Sequence, residues 1–321
     1  MDSRTVTPPS STSSRTDEDR SVGSAVMRVL AYFDVFAHPL RTDEILRFLP
    51  QLAADPSCIT SALLVLEAQG LVHRSGVYWA LADVEVRAEQ RLVCERRARS
   101  RMPKAALMSR RIARFPFVRA VFISGSLSKG VLAADGDIDF FVVTTPGRLW
   151  VARTLLMLYK KIFLLNSRRD FCVNYFLDSE HLTVEDRNRY TATEVVTLIP
   201  MYGNGTTEAF FARNAWAFGM YPNMPRPASR EVSIGRGRLK RRLERSMSGR
   251  LGALLDRSAM RITWRFWKHK FAHLDARTFE LAFRTRTYVS KHHPRNFQDR
   301  VLSGYEARLA KLEGYSAIAA S

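Results

Sequence analysis

Two aspartates, Asp137 and Asp139, stand one residue apart at the head of an apolar run, Ile138 followed by Phe140-Phe141-Val142-Val143. In an extended strand, residues i and i+2 share a face. Like charges so close on an otherwise apolar strand are costly unless a cation neutralises them. Mg2+ suits such a pair, because it takes one or two carboxylates and completes its shell with phosphate oxygens. A candidate phosphate cradle comes just before. Ala120–Ile123 is a short apolar run, expected to form a strand buried on both faces, and it ends in Ser124-Gly125-Ser126. Glycine lets the backbone approach a ligand, and free amides at a helix start bind anions. Lys129 and Gly130 are expected in the first turn of that helix, near the same anion. An Asp/Gly-rich turn would account for Asp135-Gly136-Asp137, but it leaves Asp139 inside Ile-Asp-Phe-Phe unexplained.

Gly125-Ser126, then ten residues, then Asp137-Ile138-Asp139 on the next strand resembles the signature of nucleotidyltransferases of the DNA polymerase β superfamily. The resemblance implies that Gly125 and Ser126, with Lys129 nearby, hold a nucleoside triphosphate, and that Asp137 and Asp139 hold Mg2+. The implied activity is transfer of a nucleoside monophosphate to an acceptor (RNA, protein or small molecule) with release of pyrophosphate. A wider set, adding Arg148-Leu149-Trp150 and Asn174-Tyr175-Phe176-Leu177, resembles a bacterial group that joins a winged-helix-like N-terminus to this core. That resemblance covers about Ala25 to Leu177. The family usually adds a third carboxylate on a later strand. In Asp170–Asp178 the central position is Asn174, and alternation would put Asp170, Cys172, Asn174, Phe176 and Asp178 on one face. An amide oxygen ligates Mg2+ but does not take a proton as a carboxylate does. Three outcomes stay open: Asp170 leans in, Asn174 serves while the acceptor's proton goes to water or phosphate, or the site is slow or inactive.

Around this core the chain reads as α/β (α+β), with a mixed sheet. Residues 1–23 are rich in Ser, Thr, Pro and charge and are expected to be a disordered tail. Residues 24–82 predict three short helices and a hairpin, a winged-helix-like domain: a first helix ended by His38-Pro39, a second capped by Thr42, and a third capped by Ser57 and stopped by Gly70. The hairpin turns at Ser75-Gly76. The third helix has no Lys or Arg from Ile59 to Gln69, whereas groove-reading helices present several. Residues 83–118 read as a solvated, highly charged linker helix. Residues 119–203 form the expected catalytic core, with a helix over Gly147–Leu165 and a third strand over Phe171–Leu177. Residues 204–321 read as a basic, mostly helical domain.

The 321 residues carry 50 Lys+Arg against 31 Asp+Glu, a formal charge of +19, which attracts polyanions. From Met224 onward 22 cations face 8 acids, so +14 of that charge lies in the last third. Here cations alternate with aromatics, as in Trp264-Arg265-Phe266-Trp267-Lys268. The segment reads as a nucleic-acid surface, as a basic amphipathic helix on a membrane or partner, or as a helical lid with core aromatics. Three scattered cysteines and the doublet His292-His293 offer neither a disulfide framework nor a zinc site. No transmembrane run and no signal-peptide pattern appear, so a cytoplasmic location is expected. The functional alternative is a nucleic-acid-binding or regulatory protein whose core is degenerate or senses nucleotide.

Overall fold

The computed structural model describes residues 12–167, 169–203, 205–227, 237–293 and 296–319, with side chains from Val22 to Leu312. Two compact units emerge, one built from residues 1–89, 220–225 and 304–321, the other from 90–219 and 226–303.

The first unit opens with α1, Thr12–Asp34. This helix starts well before the expected Ser24; the rest of the expected tail, residues 1–11, lies outside the described residues. Its Val26, Val29, Leu30 and Phe33 are buried, as their helical spacing requires. β1 (Leu40–Arg41) and α2 (Thr42–Arg47) follow. Arg41, not Thr42, holds the N-cap position, its N–H donating to Glu44 Oε2 at 2.8 Å, while the Thr42 hydroxyl accepts from Trp79 Nε1 at 3.2 Å. α3 (Pro56–Ala68) starts after Asp55 with Pro at its first position, so the cap lies two residues before the expected Ser57. Gly70 stops it at φ +71°. β2 (His73–Ser75) and β3 (Tyr78–Ala80) form the expected hairpin, and β1 pairs with β3 to complete a three-stranded sheet. The Asp34 carboxylate ties the unit together by accepting from Arg87 and Arg308.

α4, Val84–Ala113, is more than a solvated linker. Ala98, Ala105, Met108, Ile112 and Ala113 are buried in the core of the second unit. Arg91 and Glu95 are buried as a pair, Arg91 Nε donating to Glu95 Oε1 at 3.0 Å. The charge run had hidden an inner face with helical period.

The second unit is built on a five-stranded mixed sheet, with β4 (Val118–Ser124), β5 (Asp139–Thr144), β6 (Cys172–Asp178), β7 (Ile199–Tyr202) and β8 (Val289–Lys291) in the order β7-β4-β5-β6-β8. β5 and β6 are parallel and the other pairs antiparallel. Between strands run α5 (Gly125–Ser128), α6 (Leu149–Phe163), α7 (Arg189–Val196), α8 (Gly205–Arg213) and α9 (Ala215–Met220). β4 is buried on both faces, as its sequence requires. One face packs Val121, Ile123, Phe140, Val142 and Phe176 with α4 and α6 residues. On the other, Phe122 meets the rings of Phe141, Phe210 and Phe211 at 5.5, 5.2 and 5.8 Å.

The chain beyond residue 204 does not form a separate helical domain. α10 (Arg238–Ser246), α11 (Arg250–Lys270) and α12 (Ala276–Ala282) lead into β8, which adds an edge strand to the sheet beside β6. Trp267 of α11 is buried against Trp150 of α6 at 6.2 Å, the core role read for the aromatics, but Trp264 and Phe266 are exposed. α13 (Phe297–Ala319) closes the chain, its C-terminal half belonging to the first unit. Strands as short as β7 and β8 carry too few residues for alternation to be legible.

Phe122 is fully buried among three aromatic partners. Phe122→Ala should therefore lower stability by about 3–5 kcal/mol, measured by denaturant unfolding.

Candidate active site

The site forms where β4 ends and β5 begins. Antiparallel register sets Ser124 opposite Asp139, so the glycine after Ser124 meets the carboxylate directly. Gly125 adopts φ +67°, and a Cβ there would overlap Asp139 Oδ2. Glycine is needed twice over, for the left-handed backbone and for the close approach. α5 is a single turn, its opening amides lacking any upstream helical carbonyl. The Ser126 side chain is exposed beside them.

Lys129 is not in a first turn. It caps the C-terminal end of α5 and folds back, Nζ donating to Gly125 O at 3.1 Å and to Glu194 Oε1 at 2.8 Å. Gly130 is exposed at φ +75° and reverses the chain. The loop from there is anchored by Leu132 N–H on Cys94 O of α4 at 3.1 Å.

Asp137 lies just before β5 rather than on it. Backbone bonds clamp its neighbour: Ile138 N–H donates to Arg169 O and Ile138 O accepts from Cys172 N–H, each at 3.0 Å. Asp139 is the electrostatic centre. Burial pushes its pKa up to about 7, and the charges of Asp137 and Glu194 push the same way, while the Cys172 thiol and Lys129 oppose them. Asn174 Nδ2 donates to Asp139 Oδ1 at 2.7 Å, and Cys172 Sγ donates to Asn174 Oδ1 at 3.1 Å. Burial, with the Asp139 charge adding to it, holds the Cys172 thiol protonated by raising its pKa to about 12.

The expected alternation along β6 fails at Asn174. Phe140 pairs with Val173 but Phe141 with Tyr175, so Asn174 is the extra residue of a bulge. Asn174 and Tyr175 thus turn toward one side, Tyr175 stacking on Phe141 at 5.2 Å, while Phe176 joins the opposite core. Asp178 is carried out of the site, where it accepts from Glu180 N–H at 3.0 Å and His181 N–H at 2.9 Å. Asp170 does not lean in either: its carboxylate pairs with Arg101 of α4, with Lys104 at 3.9 Å. His292, whose N–H bonds Asn174 O at 2.9 Å, packs its ring on Trp267, and burial lowers the doublet's pKa values to about 4 and about 3. The doublet is neutral packing.

Sequence reasoning missed Glu194. It sits in α7 within Ala-Thr-Glu-Val-Val, a lone acid in a buried run. The pairing of β7 with β4 brings that helix to the site, where Glu194 meets Lys129.

Among the described residues, no group of three or more His, Cys, Asp or Glu forms a ready-made metal centre. Asp137 and Asp139 are nonetheless two neighbouring carboxylates, a donor set that could hold a hard cation completed by phosphate oxygens, and burial and like charge raise the Asp139 pKa. No protein-family model, no curated protein and no solved structure matches the chain. No helix among the described residues is long and apolar enough to cross a membrane.

The raised pKa gives a signed expectation. Asp139 holds its proton more tightly folded than at its ordinary 3.8, so its stabilising contribution is present at low pH and is lost as pH rises through about 7. Without divalent cations, Asp139→Asn should raise the melting temperature more at about pH 8 than at about pH 5. An equal gain at both values contradicts the assignment.

Proposed function

We propose that the protein is a Mg2+-dependent nucleotidyltransferase that passes a nucleoside monophosphate from a triphosphate to an acceptor and releases pyrophosphate. The observation that carries this reading is the register of Ser124 with Asp139, which sets the Gly125-Ser126 turn against the carboxylate pair. Phosphate and cation ligands therefore share one corner of the sheet, as in the polymerase β superfamily whose motif the sequence resembles.

In this reading the Gly125–Leu127 amides and the Ser126 hydroxyl hold phosphate oxygens. Asp137 and Asp139 would hold Mg2+, which would supply charge neutralisation at the phosphate under attack. Lys129 exchanges part of its pairing with Glu194 for phosphate. Asn174 holds Asp139 in place through its amide, a role that Asp at this position could not play without adding charge. The acceptor's proton then goes to solvent, to phosphate, or to Glu194, whose charge already reaches Asp139.

The three helices and small sheet of the first unit we read as a winged-helix-like module. Its third helix presents Leu64 and Val65 to solvent rather than cations, which favours protein contact over DNA reading. Asn174 in place of a third carboxylate supports the second reading, a core that binds nucleotide as a regulator without turning it over.

Asp137→Asn and Asp139→Asn should each lower pyrophosphate release by about 100-fold or more while preserving the fold. Asp170→Ala, which removes a carboxylate paired with Arg101 and Lys104 of α4, should leave it within about twofold. Triphosphate binding without turnover on any acceptor would select the regulatory reading, and unchanged activity in both aspartate variants would remove the assignment.

A further inference from the structure

The stretch from α10 through α11, residues 238–270, carries ten exposed Lys and Arg residues. Its two acids face inward. Glu244 accepts from Phe117 N–H and from Arg119, each at 2.7 Å, and Asp256 accepts from Val151 N–H at 2.9 Å. Lys240 also faces inward, donating to Ala113 O at 2.8 Å and Val118 O at 2.9 Å. The solvent side is therefore wholly cationic among its ionised groups.

That same side is also apolar. On α11 the buried stripe of Gly252, Asp256 and Trp267 packs against α6. Two lanes run along the rest of the helix, a cation lane opposite that stripe and an apolar lane between the two along one flank. Arg257, Arg261, Arg265 and Lys268 make one, spaced i, i+4, i+8, i+11, and all are exposed. The other is Leu251, Leu255, Ile262 and Phe266, spaced i, i+4, i+11, i+15 and exposed by 63, 44, 68 and 59%. Single exposed leucines are ordinary, but a lane of them along one helix is not. The docked helix thus has a second amphipathic division within its outward half. Beside its start, Arg241 and Arg245 of α10 line a groove of about 450 Å³.

We infer that this α10–α11 face docks on an anionic phospholipid surface, its cation lane on headgroup phosphates and its Leu/Ile/Phe lane at the acyl boundary. Nucleic acid would match the cations but gives leucine and isoleucine nothing to bury against, since it offers phosphates, base edges and aromatic faces. A membrane interface offers negative charge and hydrocarbon in one plane, the combination the two lanes present. Peripheral docking of this kind needs no membrane-crossing helix.

The test is co-sedimentation of the full chain with vesicles of phosphatidylcholine alone or with about 30% phosphatidylglycerol, beside retention of a single-stranded RNA. Expected is binding to the anionic vesicles only, weakened by salt. The variant Leu255→Ser/Ile262→Ser/Phe266→Ser, which keeps every charge and alters only exposed residues, should lose roughly tenfold or more of vesicle affinity and keep RNA retention within about twofold. Arg257→Gln/Arg261→Gln/Arg265→Gln should weaken both. Failure of the parent chain to bind anionic vesicles overturns the proposal, as does undiminished binding by the apolar-lane variant. If the variant misfolds by circular dichroism, the parent's preference for anionic over neutral vesicles decides alone. Because the readout is independent of pyrophosphate release, either outcome leaves the nucleotidyltransferase reading to its own test.

Discussion

A carboxylate held against a glycine organises the second unit. Asp139 sits at the start of β5 with Gly125 across the strand pair, Asn174 beside it and Asp137 just before it. Burying charge there is unfavourable, as its elevated pKa shows. The surrounding structure nonetheless fixes the arrangement from several directions. The β4–β5 register sets the glycine, the bulge in β6 turns the amide inward, and the Cys172 thiol orients that amide. That cost is the one the proposed cation would relieve.

The supporting elements can be understood by what they hold. α4 anchors the loop before Asp137 through Cys94 and removes Asp170 through Arg101. α7 brings Glu194 to Lys129, which keeps the cation beside the turn when no anion competes for it. β8 places His292 N–H on the Asn174 carbonyl and so secures the bulge from the sheet's edge. The segment that sequence set apart as a C-terminal domain is thus structurally part of the site's frame.

The glycine turn that ends β4 and the aspartate at the head of β5 were legible because Gly in a turn and Asp beside an apolar strand are both local signals. The three helices and hairpin of the first unit were legible for the same reason, from helical spacing, Gly70 and Gly76. What escaped was non-local. A bulge leaves no mark on Cys-Val-Asn-Tyr-Phe, so alternation carried Asp178 to the wrong face. Glu194 and the edge strands acquire meaning only through pairing with residues dozens of positions away. α4 misled because its eight arginines, four of them exposed, draw the eye from the alanines and methionines of its inner face.

The central claim is that Gly125-Ser126 and Asp137/Asp139 form one site for a divalent cation and a triphosphate together. Its most direct test is titration with Mn2+ followed by electron paramagnetic resonance of the free ion, with and without a nucleoside triphosphate and compared with Asp139→Asn. The account predicts that nucleotide tightens Mn2+ binding by the parent chain, that Mn2+ tightens nucleotide binding by the same factor, and that the coupling vanishes in the variant. Binding of the two that is absent, uncoupled, or untouched by the substitution would contradict it.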